Sequence, residues 1–290
     1  MTMRLSVSNL AWPADEEDAA FALLRRLGVQ GVEVAPTRLA NWDALSESQL
    51  TDYRARIEGA GLVVSSLQAI LFGRPDLQLL GEGAAFTDLL DHMRHVSAIA
   101  ATLGASALVF GSPRNRLTDG LSAAEAWQRA RDRLRQVGEI TAASGVVFGI
   151  EPVPAVYGGE FLAPWRDVLR MVREVDHPGI RVHLDTGCVS LGGDAIGEAV
   201  LTSAAQLAHF HAAQPQLASF DDPTPAHAEA AEALRSIAYG RWLAIEMREQ
   251  TGAPLVAIET AVRFVSDAYR PLKTASHSGA NSVTGSALIR

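Results

Sequence analysis

The sequence predicts a single closed (β/α)8 barrel, on three observations. Eight short apolar runs alternate with eight long amphipathic stretches. Several helical stretches end at a glycine that leads into a Val- or Ile-rich run. No glycine-rich dinucleotide turn follows the first run, which removes support for a doubly wound nucleotide-binding sheet. The chain has 290 residues, 48% hydrophobic and 20% charged, which suits one globular barrel and excludes disorder.

In order, the apolar runs are 4–8, 31–34, 62–68, 106–111, 146–151, 180–185, 207–211 and 242–246. Each is rich in Val, Ile, Leu or Phe and short enough to be a strand covered on both faces. Helix-like segments occupy 15–27, 46–59, 84–103, 121–143, 164–175, 194–205, 226–238 and 254–269. Ser122 stands three residues before Glu125, the spacing of a capping box. Gly28, Gly61, Gly104 and Gly145 fall where a helix wants a left-handed final residue. Helix, glycine, strand, repeated, is the signature of a parallel sheet, and eight units fill one barrel. The predicted domain is residues 1–273. Residues 274–290, dominated by Ser, Gly, Asn and Thr, read as a flexible tail.

Net charge is −8 and there is no Lys/Arg run, which argues against a nucleic-acid partner. The one cysteine, Cys188, excludes an intramolecular disulfide. The first residues lack a basic segment followed by a long apolar core, and no apolar run reaches the length of a membrane span. A cytoplasmic location without a membrane partner is the expectation. A homo-oligomer is allowed, because barrels of this kind often pair through their helices.

Reactive residues of such barrels sit at the carboxyl ends of strands. Here four consecutive strands end in a potential metal ligand: Glu151, Asp185, His211 and Glu246. Period-two alternation gives their direction. If Leu243 and Ile245 face the helices, Ala244 and Glu246 face the axis. The same alternation turns Asp185 inward with His183 beneath it, and His211 inward with His209 beneath it. Three carboxylates converging in a partly buried mouth would cost several kcal/mol per unpaired charge, on the order of the usual penalty, unless a cation joins them. Three oxygen donors and one imidazole suit Mn²⁺, Mg²⁺, Co²⁺ or Zn²⁺ better than copper, with Mn²⁺ as first choice.

Other candidates surround that set. Arg114 and Arg116 follow strand four and would hold a phosphate or carboxylate of the substrate as guanidinium forks. Gln68 ends strand three and would bond a substrate hydroxyl. Arg248, two residues past Glu246, would reach the mouth. Glu33 should face the axis, with His183 or His209 as its partner. The loop 72–83 and the segment 157–161 are long enough to cover the mouth, with Phe72, Phe161, Trp165 or Trp12 as an apolar wall. Cys188 reads as a small filler near the site.

The motifs Gly-Ile-Glu151-Pro, His183-Leu-Asp185-Thr-Gly, His209-Phe-His211 and Ala-Ile-Glu246-Met resemble those of the xylose isomerase-like barrels. That group contains ketose 3-epimerases, hydroxypyruvate isomerases and inosose dehydratases. The resemblance covers residues 1–271. It implies one divalent metal on Glu151, Asp185, His211 and Glu246, bound to two neighbouring oxygens of a hydroxy-ketone. It implies Glu151 and Glu246 as the catalytic acid/base pair on opposite faces of a small sugar-like substrate. His183, from its own position, is a candidate substrate contact or, with His209, a group that orients the ligands. The metal would stabilise an enediolate. Proton return then gives epimerisation or isomerisation, and loss of hydroxide gives dehydration, the alternative reading. Two positions depart from the ketose 3-epimerases. A histidine three residues past the aspartate is Cys188 here, and an arginine about six residues past the histidine ligand is absent from the segment ending at Leu217. Both family positions contact substrate.

A metal-dependent endonuclease or phosphoesterase would need more metal-binding histidines and a basic groove. The chain has eight histidines, and His177 and His277 fall outside strand ends. A non-enzymatic sugar-binding barrel would have no use for the two glutamates.

Overall fold

The computed structural model describes residues 3–269. Eight strands pair in parallel in chain order: β1 (Arg4–Ser8), β2 (Gly31–Val34), β3 (Val63–Leu67), β4 (Ala107–Phe110), β5 (Val147–Ile150), β6 (Ile180–Asp185), β7 (Leu207–Ala213) and β8 (Trp242–Glu246). β1 closes on β8 with Leu5 beside Leu243 and Val7 beside Ile245, so the barrel is complete. Around it run α1 (Glu17–Arg26), α2 (Glu47–Gly59), α3 (Ala84–Leu103), α4 (Ala123–Ala143), α5 (Trp165–Val175), α6 (Thr186–Leu191), α7 (Ile196–Ser203), α8 (Ala226–Ser236) and α9 (Pro254–Ala268). No described helix is long and apolar enough to cross a membrane.

The period of two decides where the core lies. Val7, Val32, Leu108, Ile150, Val182, Leu184, Phe210, Leu243 and Ile245 alternate with the axial residues and are sealed under the helices. Burying each such side chain is worth about 1.5–3 kcal/mol, so the outer face of the barrel holds the fold. The expected capping box of α4 is present, with the Ser122 hydroxyl accepting from the Glu125 amide and the Glu125 carboxylate accepting from the Ser122 amide. Ser46 and Gln49 form a second one at α2. Gly104 ends α3 at φ 81°, a left-handed conformation that side chains with a Cβ resist.

The axial face is polar. Ser6, Ser8, Glu33, Ser66, Gln68, His183, His209 and His211 are almost wholly buried there. Two register shifts set their alignment. One between Val182 and His183 brings His183 beside His209 and Asp185 beside His211. One between Val32 and Glu33 brings Glu33 beside Ser66. Gly149 makes room in this layer, since a Cβ there would stand 3.0 Å from that of His183.

Three details differ from the sequence expectation. β7 runs two residues past His211, to Ala213. A short helix, α6, starts immediately after Asp185 and precedes α7, where a single helix over 194–205 was expected. The loop 72–83 is stapled to the barrel wall: the Asn115 amide donates to the Arg74 and Leu77 carbonyls at 2.7 and 2.6 Å, and Arg133 donates to the carbonyls of Leu79 and Gly81. The expected tail 274–290, with His277, lies outside the described residues.

Candidate active site

Glu151, Asp185, His211 and Glu246 come together at the carboxyl ends of β5 to β8. Among the described residues, donor atoms of Glu151, Asp185 and His211 lie within 4.8 Å of one another. The His211 Nδ1 stands 3.1 Å from Glu246 Oε2 and 3.7 Å from Asp185 Oδ2. Asp185 caps α6, its Oδ1 accepting from the Cys188 amide at 2.6 Å. Its Oδ2 is buried without a hydrogen-bond partner among the described residues and stays available to the cluster. Gly111 lies under Glu151, because a Cβ at that position would fall 1.8 Å from Glu151 Oε2.

The electrostatics record the crowding of acids. Burial, then Asp185 and Glu246, push the Glu151 carboxyl up to about 8. Burial, then Glu246, push Asp185 up to about 6. Burial works against a charged His211, yet Glu33 and then Glu246 hold its pKa well above the ordinary imidazole range. Burial also opposes the charge on Glu33, and His211 and His209 outweigh it, so that carboxyl sits well below the usual range.

Glu33 therefore anchors the cluster from beneath. It is fully buried and accepts from Ser66 Oγ at 2.7 Å, Gln68 Nε2 at 3.2 Å and His209 Nε2 at 2.8 Å. His211 Nε2 stands 3.0 Å from its Oε1. The expected partner His209 is thus present, His211 is added, and His183 is not among the partners. A ligating imidazole commonly donates its other N–H to a carboxylate, which fixes its tautomer and orientation. Glu33 under His211 is that arrangement, and it leaves Nδ1 for a cation. Unpartnered Asp185 Oδ2, two carboxyls raised by burial and by neighbouring acids, and an imidazole oriented from behind form a donor set that fits a divalent metal ion.

The remaining candidates divide. Gln68 lines the mouth with its amide nitrogen committed to Ser8 and Glu33, which leaves its side-chain oxygen as the atom that would meet a substrate hydroxyl. His183 lies one layer down, stacked on His209 with ring centroids 5.2 Å apart, and is sealed from the mouth, so it is not a substrate contact. Both its ring nitrogens lack partners among the described residues, and burial, with His211 and His209 beside it, holds its pKa well below the usual imidazole range. Arg114 and Arg116 do not act together. The turn Pro113–Asn115 sends Arg114 to solvent, while Arg116 is fully buried over Phe110 and donates to the Glu151 carbonyl at 2.8 Å. Burial lowers its pKa to about 10. Arg248 is exposed at the rim and lines the mouth. Phe161, Trp165 and Trp12 pack in the core, which corrects the idea of an aromatic wall, whereas Phe72 stands 69% exposed at the rim. Cys188 is half-buried, and burial, then Glu151, raise its thiol, which favours the protonated form.

The mouth has two lobes. One, a cavity of about 290 Å³, is lined by Gln68, Ala69, Phe72, Val109 and Ser112. The other, of about 270 Å³, is lined by Val153, Tyr157, Cys188, Gln216, Leu217 and Arg248. Gly111, Pro113, Glu151 and Glu246 line both. The two glutamates therefore stand where the lobes meet. Tyr157 opens the segment 157–161 expected at the mouth, and Gln216 lies in the segment ending at Leu217, though the sequence singles out neither side chain as a contact.

The family model described as xylose isomerase-like TIM barrel matches residues 21–268. The chain belongs to this family. Other xylose isomerase-like barrels give its neighbourhood. It is 26% identical over 192 residues to the D-psicose 3-epimerase of Ruminiclostridium cellulolyticum, an alignment covering 64% of this chain and 62% of that relative. The chain thus spans under two thirds of that relative's length. Its fold matches the 3-keto-D-glucoside 4-epimerase of E. coli, with a TM-score of 0.75 at 18% identity over 92% of this chain and 100% of that one. It also matches an L-ribulose 3-epimerase, with a TM-score of 0.76 at 17% identity over 92% and 95% of the two chains.

Proposed function

We propose that this xylose isomerase-like barrel is a divalent-metal-dependent sugar isomerase or epimerase acting on a ketose-like hydroxy-ketone. The observation that carries the reading is the convergence of Glu151, Asp185, His211 and Glu246 around the unpartnered Asp185 oxygen. Relatives named as sugar 3- and 4-epimerases support the substrate class.

Glu151, Asp185, His211 and Glu246 would hold the ion, with Mn²⁺ as first choice. A bound divalent cation would supply a Lewis acid that draws electron density from the substrate carbonyl. The chain's own groups do the proton work. Glu151 and Glu246 both face the junction of the lobes, so one carboxylate can take the proton from the carbon beside the carbonyl and the other can return one. Delivery to the same carbon from the other face epimerises; delivery to the neighbouring carbon isomerises. Glu33 holds His211 in one orientation, and Gly111 lets Glu151 lie flat against the strand end.

The test is solvent exchange. Metal-loaded protein incubated with ketoses in heavy water should place deuterium beside the carbonyl with every hydroxyl retained. Glu151→Gln and Glu246→Gln should each slow exchange by about 10²–10⁴-fold. Loss of water from the substrate would favour a dehydratase instead. Metal content that stays the same in Asp185→Asn and Glu246→Gln would sink the assigned ligand set.

A further inference from the structure

Arg116 has no task in the chemistry just described. It is the one buried arginine among the described residues, and none of its surface is exposed. A guanidinium keeps its charge at every ordinary pH, and a charge buried without a counter-ion is strongly unfavourable. Arg116 forms no ion pair among the described residues. Its Nη2 donates to the Glu151 main-chain carbonyl at 2.8 Å, its Nε and Nη1 have no partner among the described residues, and its Cζ lies 5.2 Å from the centre of the Phe110 ring.

The fold does not call on that charge. Other groups hold the turn before Arg116. The Arg116 amide donates to the Pro113 carbonyl at 3.1 Å, the Asn115 carbonyl accepts from the Leu79 amide at 2.8 Å, and the Asn115 side chain reaches the Arg74 and Leu77 carbonyls. β5 pairs with β6 only as far as Ile150, so the Glu151 carbonyl takes its donor from outside the sheet. A neutral side chain would meet that one need. Two idle N–H groups and a full charge go beyond it.

What the guanidinium adds is a positive charge behind Glu151. After burial, the charge of Glu151 is the strongest influence on Arg116. Arg116 lines neither lobe of the mouth, so a substrate there does not touch it. Among Glu151, Asp185 and Glu246 a divalent ion balances two negative charges and leaves one. Glu151 also has two roles, to bind the ion and to meet the substrate. A carboxylate with nothing behind it is drawn fully onto a divalent ion and is then a poor proton acceptor.

We propose that Arg116 is a positioning residue for Glu151: bonded to its main chain and charged behind its carboxylate, it holds that group back from the ion so that one oxygen stays free for the substrate. This assignment rests on the metal-assisted proton-transfer reading above, and adds to it the residue that keeps Glu151 free to react. Two effects of opposite sign follow. Removing the charge takes away a repulsion felt by a divalent ion, so the ion binds more tightly. It also lets Glu151 collapse onto the ion, so proton transfer slows. A brace that merely holds the fold would weaken both.

The experiment uses Arg116→Met and Arg116→Gln, which are neutral, and Arg116→Lys, which keeps the charge. Calorimetric titration of metal-free protein with Mn²⁺ reads the first effect. Deuterium uptake from heavy water by Mn²⁺-loaded protein reads the second, in the fastest-exchanging of D-psicose, D-fructose and L-ribulose. The neutral variants should bind Mn²⁺ about tenfold more tightly and lower kcat about tenfold, with KM within about threefold of the parent. Arg116→Lys should return the affinity to within about twofold of the parent. Methionine against the Phe110 ring replaces an unpaired buried charge, a change that commonly leaves a fold as stable or more so, and denaturant unfolding checks this. Neutral variants that fail to fold, that bind Mn²⁺ no more tightly than the parent, or that keep the parental kcat overturn the assignment, as does a lysine variant that binds like the neutral ones. If the parent binds Mn²⁺ and exchanges none of the three ketoses, the failure is that of the enolisation reading, and the affinities decide the role of Arg116 on their own.

Discussion

Replacing Glu33 with glutamine tests whether the barrel interior tunes the cation site from below. The residue touches no substrate, being fully buried, but its two oxygens collect Ser66 at 2.7 Å, Gln68 at 3.2 Å, His209 at 2.8 Å and His211 at 3.0 Å. Glutamine keeps the volume and one acceptor while removing the charge. It also turns an N–H₂ toward donors that previously met an oxygen. The His211 N–H then loses its carboxylate, and the imidazole becomes a weaker ligand free to rotate. Loss of such a supporting partner costs about 10–100-fold in metal affinity, or about 1.4–2.7 kcal/mol. Calorimetric titration of metal-free protein with Mn²⁺ measures it directly, with circular dichroism confirming the fold. An affinity within twofold of the parent, in a folded variant, would refute the claim that Glu33 orients His211.

Further outcomes follow from the same geometry. Burial and neighbouring acids raise Glu151 to about 8 and Asp185 to about 6, so the unfolded chain binds fewer protons than the folded one across about pH 5–8 and stability falls as pH rises. The melting temperature of metal-free protein should drop from pH 5 to pH 8, and Mn²⁺ should raise it more at pH 8; a rising profile would contradict the coupling of the acids. Gly111→Ala puts a Cβ 1.8 Å from Glu151 Oε2 and must displace that carboxylate, so exchange should slow about 100-fold with the fold retained, and an unchanged rate would count against Glu151 as a reacting group. Phe210→Ala, on the helix-facing side of β7, should cost about 3–5 kcal/mol in denaturant unfolding while leaving Mn²⁺ affinity alone; a matching loss of affinity would show that the outer core positions the ligands.

The barrel and the position of its four acid and imidazole side chains were legible because both follow from simple periods. Residues two apart on a strand share a face, so the apolar Leu243 and Ile245 placed Glu246, and Val32 and Val34 placed Glu33. Loops follow no such period. Arg114 and Arg116 alternate like strand residues in the sequence, but the turn at Pro113–Asn115 rotates one into solvent and the other into the wall. Alternation also turned His183 toward the axis correctly while saying nothing of depth; it is sealed a layer below the mouth. Short helix α6 escaped because its start depends on Asp185 accepting from an amide three residues on, a role hidden by its reading as a ligand. Aromatic residues near strand ends, Trp12, Phe161 and Trp165, were drawn into the packing between helices and barrel, as large apolar side chains generally are.

The bond from Glu33 to His211 crosses the barrel from β2 to β7, so it joins two parts of the chain 178 residues apart. Occupancy at the mouth is thus felt by an early strand that supplies no donor to the ion. Cutting the chain between β4 and β5 and mixing the two pieces would make this visible. The first fragment carries Glu33 and the second His211 with all four proposed ligands, so the ion should strengthen reassembly only through the orientation it imposes on His211.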